Sequence, residues 1–356
     1  MHIAIGYYWF PAATGYHLER ALRALGHTVT YVGLPSGQRP GYDNTTPVSD
    51  VVAALPQSPD LYLWIDPANR YFPPGIEDLP IPTACYLIDV HLGTWRQHAA
   101  RFFDAVFIAQ KDYLDRFRQS VGHDQVDWLP LAAAPDVHRQ WDLPKIHDVG
   151  FVGNLNLAHR TTARARRLKL IAGRFQTNDF YRFYPPEEVG RVYSQSRIVF
   201  NTSLADDVNM RVFEGAACGA LVLTDSVANG LGDLFAIGRE IVTYADDDDL
   251  LDKIAYYLAH EDERAQIARA GYQRAQAQHT YAHRVQTILD TIGASSFERL
   301  APMRRAGRGE RLAARRRTYT HLHMLDAILD EARAAGYHPL RRAWSALPCL
   351  IRRLLR

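Results

Sequence analysis

The feature that most constrains this chain is a repeated change of hydrophobic period. Short apolar runs at 3–6, 29–32, 61–65, 83–88 and 105–108 alternate with stretches of helical spacing such as 18–25 and 97–103. A second series follows, with apolar runs at 149–152, 198–201, 220–223 and 240–244. Short continuous apolar runs of this kind suit strands buried on both faces. Strands alternating with helices predict parallel sheets joined by right-handed crossovers. The fold class expected is α/β: two Rossmann-like doubly wound domains facing a cleft, plus a basic helical tail. A length of 356 residues suits about two domains. The expected boundaries are 1–138, 147–295 and 296–356, with the linker near 134–146. In such sheets ligands gather at the carboxyl ends of strands, where the strand order reverses.

Composition narrows the class further. Apolar residues make up 47% of the chain, which excludes general disorder. The cysteines, Cys85, Cys218 and Cys349, are scattered and show neither a metal spacing nor a disulfide framework. The opening run from Met1 to Gly6 reads as a strand without a basic lead, so no signal peptide is expected. No apolar run is long enough to span a bilayer. A reducing, cytoplasmic location is the expectation. Net charge is +2, but residues 301–356 hold 13 Arg and no Lys against 4 acidic residues, a local +9 that leaves −7 for the rest.

The densest chemistry lies in the run Asn209-Met210-Arg211-Val212-Phe213-Glu214-Gly215-Ala216-Ala217-Cys218-Gly219. It reads as a short helix and a glycine stop, followed by a buried strand. Asn209 is a suitable N-cap, as are Asp206 and Asp207, and Gly219 suits a left-handed helix end. Arg211 and Glu214 are three apart and share a helix face. A helix N-terminus with an arginine fork attracts phosphate. Glu214 would repel phosphate and suits a hydroxyl pair such as a ribose diol. Phosphate plus ribose means a nucleotide. The same two residues also suit a solvated pair on an ordinary amphipathic helix, and by themselves they leave both readings open.

Other candidates sit at predicted strand ends. Gly15 follows the first strand and opens a helix, where a missing side chain lets backbone approach a phosphate or sugar. Gly153 and Asn154 follow the first strand of the second domain. Asp89 and His91 close the strand predicted at 83–88, and alternation puts them on one side. As a pair they suit a base and its orienter for an acceptor hydroxyl, or a strand end bonded to neighbouring loops. No G-x-G-x-x-G is present, which disfavours a dinucleotide enzyme. The acidic run Asp246-Asp247-Asp248-Asp249 is read as the cap of a following helix rather than a metal site.

The run Arg211-Val212-Phe213-Glu214 through Cys218-Gly219, with Thr224-Asp225 after it, resembles the donor-site signature of GT-B-fold glycosyltransferases. Within the group 1 branch it is most similar to the CgeB-like (spore-maturation-type) enzymes. The resemblance extends over roughly residues 1–295, through Gly15 to Val29, Leu129-Pro130-Leu131-Ala132-Ala133, Asp148 to Asn154, Tyr184-Pro185-Pro186-Glu187-Glu188-Val189 and Gly271 to Arg284. It implies a hexosyltransferase-type activity that moves a sugar from a nucleoside-diphosphate sugar to an acceptor hydroxyl. It implies donor contacts from Gly15, Gly153, Asn154, Arg160, Asn209, Arg211 and Glu214, with Arg160 clamping the diphosphate. It implies Asp89 and His91 on the acceptor side. Many retaining relatives carry a second Glu where this chain has Asp206, eight positions before Glu214, so stereochemistry stays open.

Fixed cations would stabilise a nucleoside-diphosphate leaving group without a metal or other cofactor. The acceptor stays open among glycan, protein, lipid and small metabolite. The alternatives are a GT-B-fold nucleotide-sugar epimerase and a non-catalytic nucleotide-sugar-binding protein. In the tail, basic and apolar residues alternate, which suits contact with the inner membrane face, with a partner chain or with the first domain. It lacks a nucleic-acid-binding motif.

Overall fold

The computed structural model describes residues 1–356 apart from 38, 43–44, 67–70, 154, 156–161, 204, 295–297, 323, 335, 337, 339–341, 343–345 and 350–356. The chain forms two compact units, Met1–Pro130 together with Val285–Arg356 (unit 1), and Leu131–Arg284 (unit 2). Among the described residues no helix is long and apolar enough to cross a membrane.

Unit 1 holds strands β1 (His2–Gly6), β2 (Thr28–Tyr31), β3 (Leu61–Ile65), β4 (Thr83–Leu87), β5 (Ala105–Ile108) and β6 (Val126–Trp128). They make one parallel sheet in the order β2-β1-β3-β4-β5-β6. Strands β1, β3 and β4 are buried throughout, as their uninterrupted apolar sequences require. The strand order reverses at β1, so the switch point lies beyond Gly6 and Ile65. Strand β6 was not among the sequence expectations. It is a short edge strand with one fully buried residue, Val126, and gives little periodic signal.

Strand β4 stops at Leu87 because a side chain replaces the next rung of the ladder. The Gln110 amide donates to the Ile88 carbonyl (2.6 Å), and its oxygen accepts from the Val90 N–H (3.4 Å).

The segment expected as a separate tail belongs to unit 1. Arg304 bonds both carboxylate oxygens of Asp104 at 2.8 and 2.6 Å and the carbonyls of Leu79 and Ile81. Arg311 reaches Asp78 at 2.8 Å, and Arg315 pairs with Glu77. Met303 and Tyr319 are fully buried in one core with Trp64, Phe72, Phe102 and Phe103. The physical reason is reciprocal. Asp104 and Glu77 are buried carboxylates that need cations, and the arginines of the last segment supply them.

Unit 2 holds β7 (His147–Gly150), β8 (Ser196–Phe200), β9 (Leu221–Asp225) and β10 (Val242–Tyr244), parallel in the order β10-β9-β8-β7. Thr177 bridges Val149 in parallel. Val149 pairs with β8 as well, so the two neighbours flank β7 and the order reverses there. Strand β7 stops at Gly150 in the manner of β4. The Asn178 amide takes both backbone groups of Phe151, its N–H and its carbonyl, at 2.9 Å each.

Local expectations hold in unit 2. Gly219 takes φ +71 after the helix Met210–Ala217. Asp246 caps the helix Asp247–Ala259 by accepting from the N–H groups of Asp248 and Asp249. The connection expected at 134–146 is part of unit 2. Arg284 donates to the Leu131 carbonyl, Ala133 N–H donates to His279, and Lys145 donates to Ser196.

Candidate functional site

The site grows from the carboxyl ends of β7 and β8 and the start of the helix Met210–Ala217. Asn209 caps that helix, its side-chain oxygen accepting from the Arg211 N–H at 3.1 Å. This frees Arg211 to reach back across the strand ends. Its Nε donates to the Val152 carbonyl at 3.0 Å and its Nη1 to the Asn201 side chain at 2.7 Å. The guanidinium lies 4.2 Å from the centre of the Phe151 ring. Gly153 is the residue beside it, and a Cβ there would stand 2.7 Å from Arg211 Nη2. Any larger residue at 153 would have to displace the Arg211 guanidinium or the Phe151 ring.

A second guanidinium joins this place. Arg164 is 8% exposed and donates to the Thr202 carbonyl at 3.0 Å. It lies 5.9 Å from the Phe151 ring, and its Nε has no partner among the described residues. Burial, then the charge of Arg211, pushes its pKa down to about 10. Two cations therefore lean on one aromatic ring, and one of them has a buried donor without a partner among the described residues. The charges of Asp207 and Asp225 also act on Arg164, more weakly than that of Arg211.

Arg164 was not among the residues the sequence singled out. The signal was nevertheless present. Arg164, Leu168 and Ile171 are spaced i, i+4, i+7 and are the buried residues of the helix Ala163–Ala172. Asn154 and Arg160, also expected here, lie outside the described residues.

Glu214 sits on the helix Met210–Ala217, and its side chain is 14% exposed. Burial raises its carboxyl pKa to about 7, against the pull of Arg211. His138 Nε2 stands 3.5 Å from Glu214 Oε1. His138 is itself buried, and burial pushes its pKa down to about 3. Its Nδ1 accepts from the Ala134 N–H, which puts the ring proton on Nε2, toward Glu214. His138 comes from the stretch read as linker, and nothing in the local sequence pointed to it.

Below the helix start, Asp225 at the end of β9 accepts from the Ser203 N–H at 3.0 Å and the Ser203 hydroxyl at 2.8 Å, fixing the loop after β8. Asp206 holds φ +55, the sole non-glycine in the left-handed region among the described residues.

The remaining candidates belong to unit 1. Gly15 faces Tyr7, and a Cβ would meet the ring at 2.3 Å. Its small size serves this contact, behind which Tyr7 donates to Glu19 (2.6 Å) and Arg39 bonds both Glu19 oxygens. Asp89 and His91 are not on strand β4. Asp89 precedes the 3-10 turn Val90–Leu92 at φ −130, and His91 is within that turn. Turn geometry, held by Gln110, sets them rather than strand alternation. His91 Nδ1 is buried without a hydrogen-bond partner among the described residues. Among the described residues no group of three His, Cys, Asp or Glu side chains is placed to hold a metal.

Comparison with known proteins bears on the region just described. Residues 154–290 match a protein family described as "Glycosyl transferase-like". No curated protein sequence matches the chain. Similar solved structures include a glycosyltransferase from Rickettsia africae at TM-score 0.58 and 10% identity, covering 83% of this chain and 99% of that one. HepE of Anabaena in complex with UDP and glucose gives TM-score 0.56 and 12% identity, covering 82% and 99%. Sucrose-phosphate synthase from Thermosynechococcus elongatus gives 0.55 and 12%, covering 81% and 97%. The two parallel sheets with their helices are the α/β architecture of GT-B glycosyltransferases.

Proposed function

We propose that the protein is a glycosyltransferase whose unit 2 binds a nucleoside-diphosphate sugar and whose reaction passes the sugar to an acceptor hydroxyl. The observation that carries this reading is the pair Arg164 and Arg211 on Phe151, beside the N-terminus of the helix Met210–Ala217. Guanidinium forks and helix amides together match a diphosphate. The matched family spans these residues from 154 onward, and the HepE structure holds UDP and glucose.

In the reaction the acceptor oxygen bonds to the anomeric carbon, and the bond from that carbon to the distal phosphate oxygen breaks. The nucleoside diphosphate leaves with the electron pair. Arg211 and Arg164 are already fixed where that charge develops, so they stabilise it without reorganisation. This removes the need for a divalent metal. Glu214 accepts from the ribose hydroxyls. Its high pKa fits a buried carboxyl that gains its donors only when the nucleotide arrives. In unit 1, His91 takes the acceptor proton and Asp89 orients the turn that presents it. The run Arg211–Asp225 supports the CgeB-like branch and a hexosyl donor.

The test is a thermal-shift series with UDP, GDP, TDP, ADP and CMP on the wild type and on Arg211→Ala. A ligand that binds only the folded state raises stability with the logarithm of its concentration over Kd. A shift with one nucleoside diphosphate, lost in the variant, is expected. No shift with any of them would remove the sugar-nucleotide reading. Acceptor-free conversion of a sugar nucleotide into its epimer would favour an epimerase, and binding without turnover a non-catalytic protein.

A further inference from the structure

Unit 1 contains a basic cavity that the reaction above does not use. It lies between the helix Trp95–Ala100 and the helix Arg308–Leu322 and has a volume of about 290 Å³. Its walls include Thr94, His98, Arg316, Arg317 and Thr320, with the buried Trp95 at one side. Among the described residues no carboxylate lines it. On the same segment Arg304, Arg311 and Arg315 each meet a carboxylate of unit 1. Arg316 and Arg317 have neither an ion pair nor a hydrogen bond among the described residues, and both are exposed.

Two neighbouring guanidinium groups repel one another, and among the described residues no carboxylate pairs with either. Around them stand two hydroxyls and an imidazole, all able to donate. Burial and the charges of Arg317 and Arg101 hold His98 below the usual histidine range. Arginine forks match the spacing of tetrahedral oxyanions, and a doubly charged oxyanion answers two cations at once. The volume is near the roughly 300 Å³ at which small-molecule sites begin, room for a phosphate with a small organic body.

We propose that this cavity is a binding site for a phosphate group, with Arg316 and Arg317 as its principal donors and Thr94, Thr320 and His98 completing the shell. The same chemistry is offered by a soluble phosphomonoester and by a phosphomonoester lipid headgroup, and the experiment separates the two.

The full-length protein is titrated calorimetrically with inorganic phosphate and with glycerol 3-phosphate. It is also sedimented with phosphatidylcholine vesicles, with and without phosphatidic acid. Alongside run R316Q/R317Q and the control R305Q/R308Q, which removes two exposed arginines outside the cavity. Glutamine keeps the helix propensity of arginine, so both variants are expected to fold and to retain the nucleotide-induced thermal shift. Binding in the wild type should weaken at least tenfold in R316Q/R317Q, since each lost charge-assisted bond is worth roughly that factor. It should stay unchanged in R305Q/R308Q, and the His98 ring resonances should shift on binding in the wild type alone. Binding of the soluble phosphates without vesicles assigns a soluble ligand, and binding of phosphatidic acid vesicles without them assigns the headgroup. Equal binding by the wild type and R316Q/R317Q, an equal loss in the control pair, or no binding in any arm would overturn the proposal.

Discussion

The two units each end a strand by the same device and then use the result differently. In unit 2 the Asn178 amide takes over the backbone of Phe151, and in unit 1 the Gln110 amide takes over Ile88 and Val90. An amide carries one acceptor and two donors, so it can replace a ladder rung where the chain must turn away. Beyond Phe151 the freed chain meets two arginines and a helix N-terminus. Beyond Ile88 it carries Asp89 and His91 on a short turn. One strand end carries two arginines and a helix N-terminus, and the other carries titratable side chains. Binding and proton transfer are therefore expected to separate by unit, and each experiment below either breaks that division or sharpens it.

The largest effect is expected in unit 1. His91→Gln should lower kcat by about 10²–10⁴, the usual contribution of a positioned general base, with the nucleotide-induced thermal shift intact. Asp89→Asn should lower kcat less and move the pH profile, as a positioning residue does. A loss of nucleotide binding in either would break the division.

Next is Arg211→Ala. Removing one fixed donor to a developing charge costs about 10²–10³ in kcat/KM, and the thermal shift should vanish. Unchanged kinetics would place the donor site elsewhere.

Third is the pH dependence of Glu214. Its folded pKa near 7 lies above its ordinary 4.5, so the folded state binds the proton more tightly. The stability this gives is fully present below about pH 4.5 and is lost as pH rises through 7. Glu214→Gln should therefore match the wild type at pH 4.5 and exceed it above pH 7 by up to about 3 kcal/mol, read from urea midpoints. Nucleotide binding should weaken in the same variant.

Fourth, Arg164→Met should weaken nucleotide binding by about tenfold while raising the melting temperature of the free protein, because a buried charge with no ion pair among the described residues is removed. A variant that binds less and melts lower would make Arg164 structural. The smallest effect is Gly15→Ala. The new methyl must displace Tyr7, at a cost of about 1–2 kcal/mol in denaturant unfolding, with unit 2 still binding nucleotide.

Much of unit 2 was legible in the sequence because its informative contacts are local. Asn209 caps a residue two positions on, Asp246 caps those two and three positions on, and Gly219 needs only its own φ. Arg211 was recognisable for the same reason, standing in a contiguous run of helix, stop and strand. Unit 1 was less legible. Its Asp89–His91 turn depends on Gln110, 20 residues from the Val90 N–H it receives. The pattern of strand 83–88 therefore ran one residue too far, and the alternation drawn from it failed. The last segment was read as a tail because its arginines are counted easily in sequence while their partners Glu77, Asp78 and Asp104 are remote.

The sequence by itself determined the α/β class, nearly every strand and the caps, stops and arginine of the helix Met210–Ala217. Those follow from hydrophobic period and from hydrogen bonds spanning a few residues. Only the tertiary structure decided that Arg164 is buried beside Arg211, that His138 faces Glu214 and lifts no charge from it, and that the arginine-rich end completes unit 1. Burial sets those properties, and burial depends on which faces meet after the chain has folded, a quantity no local window contains.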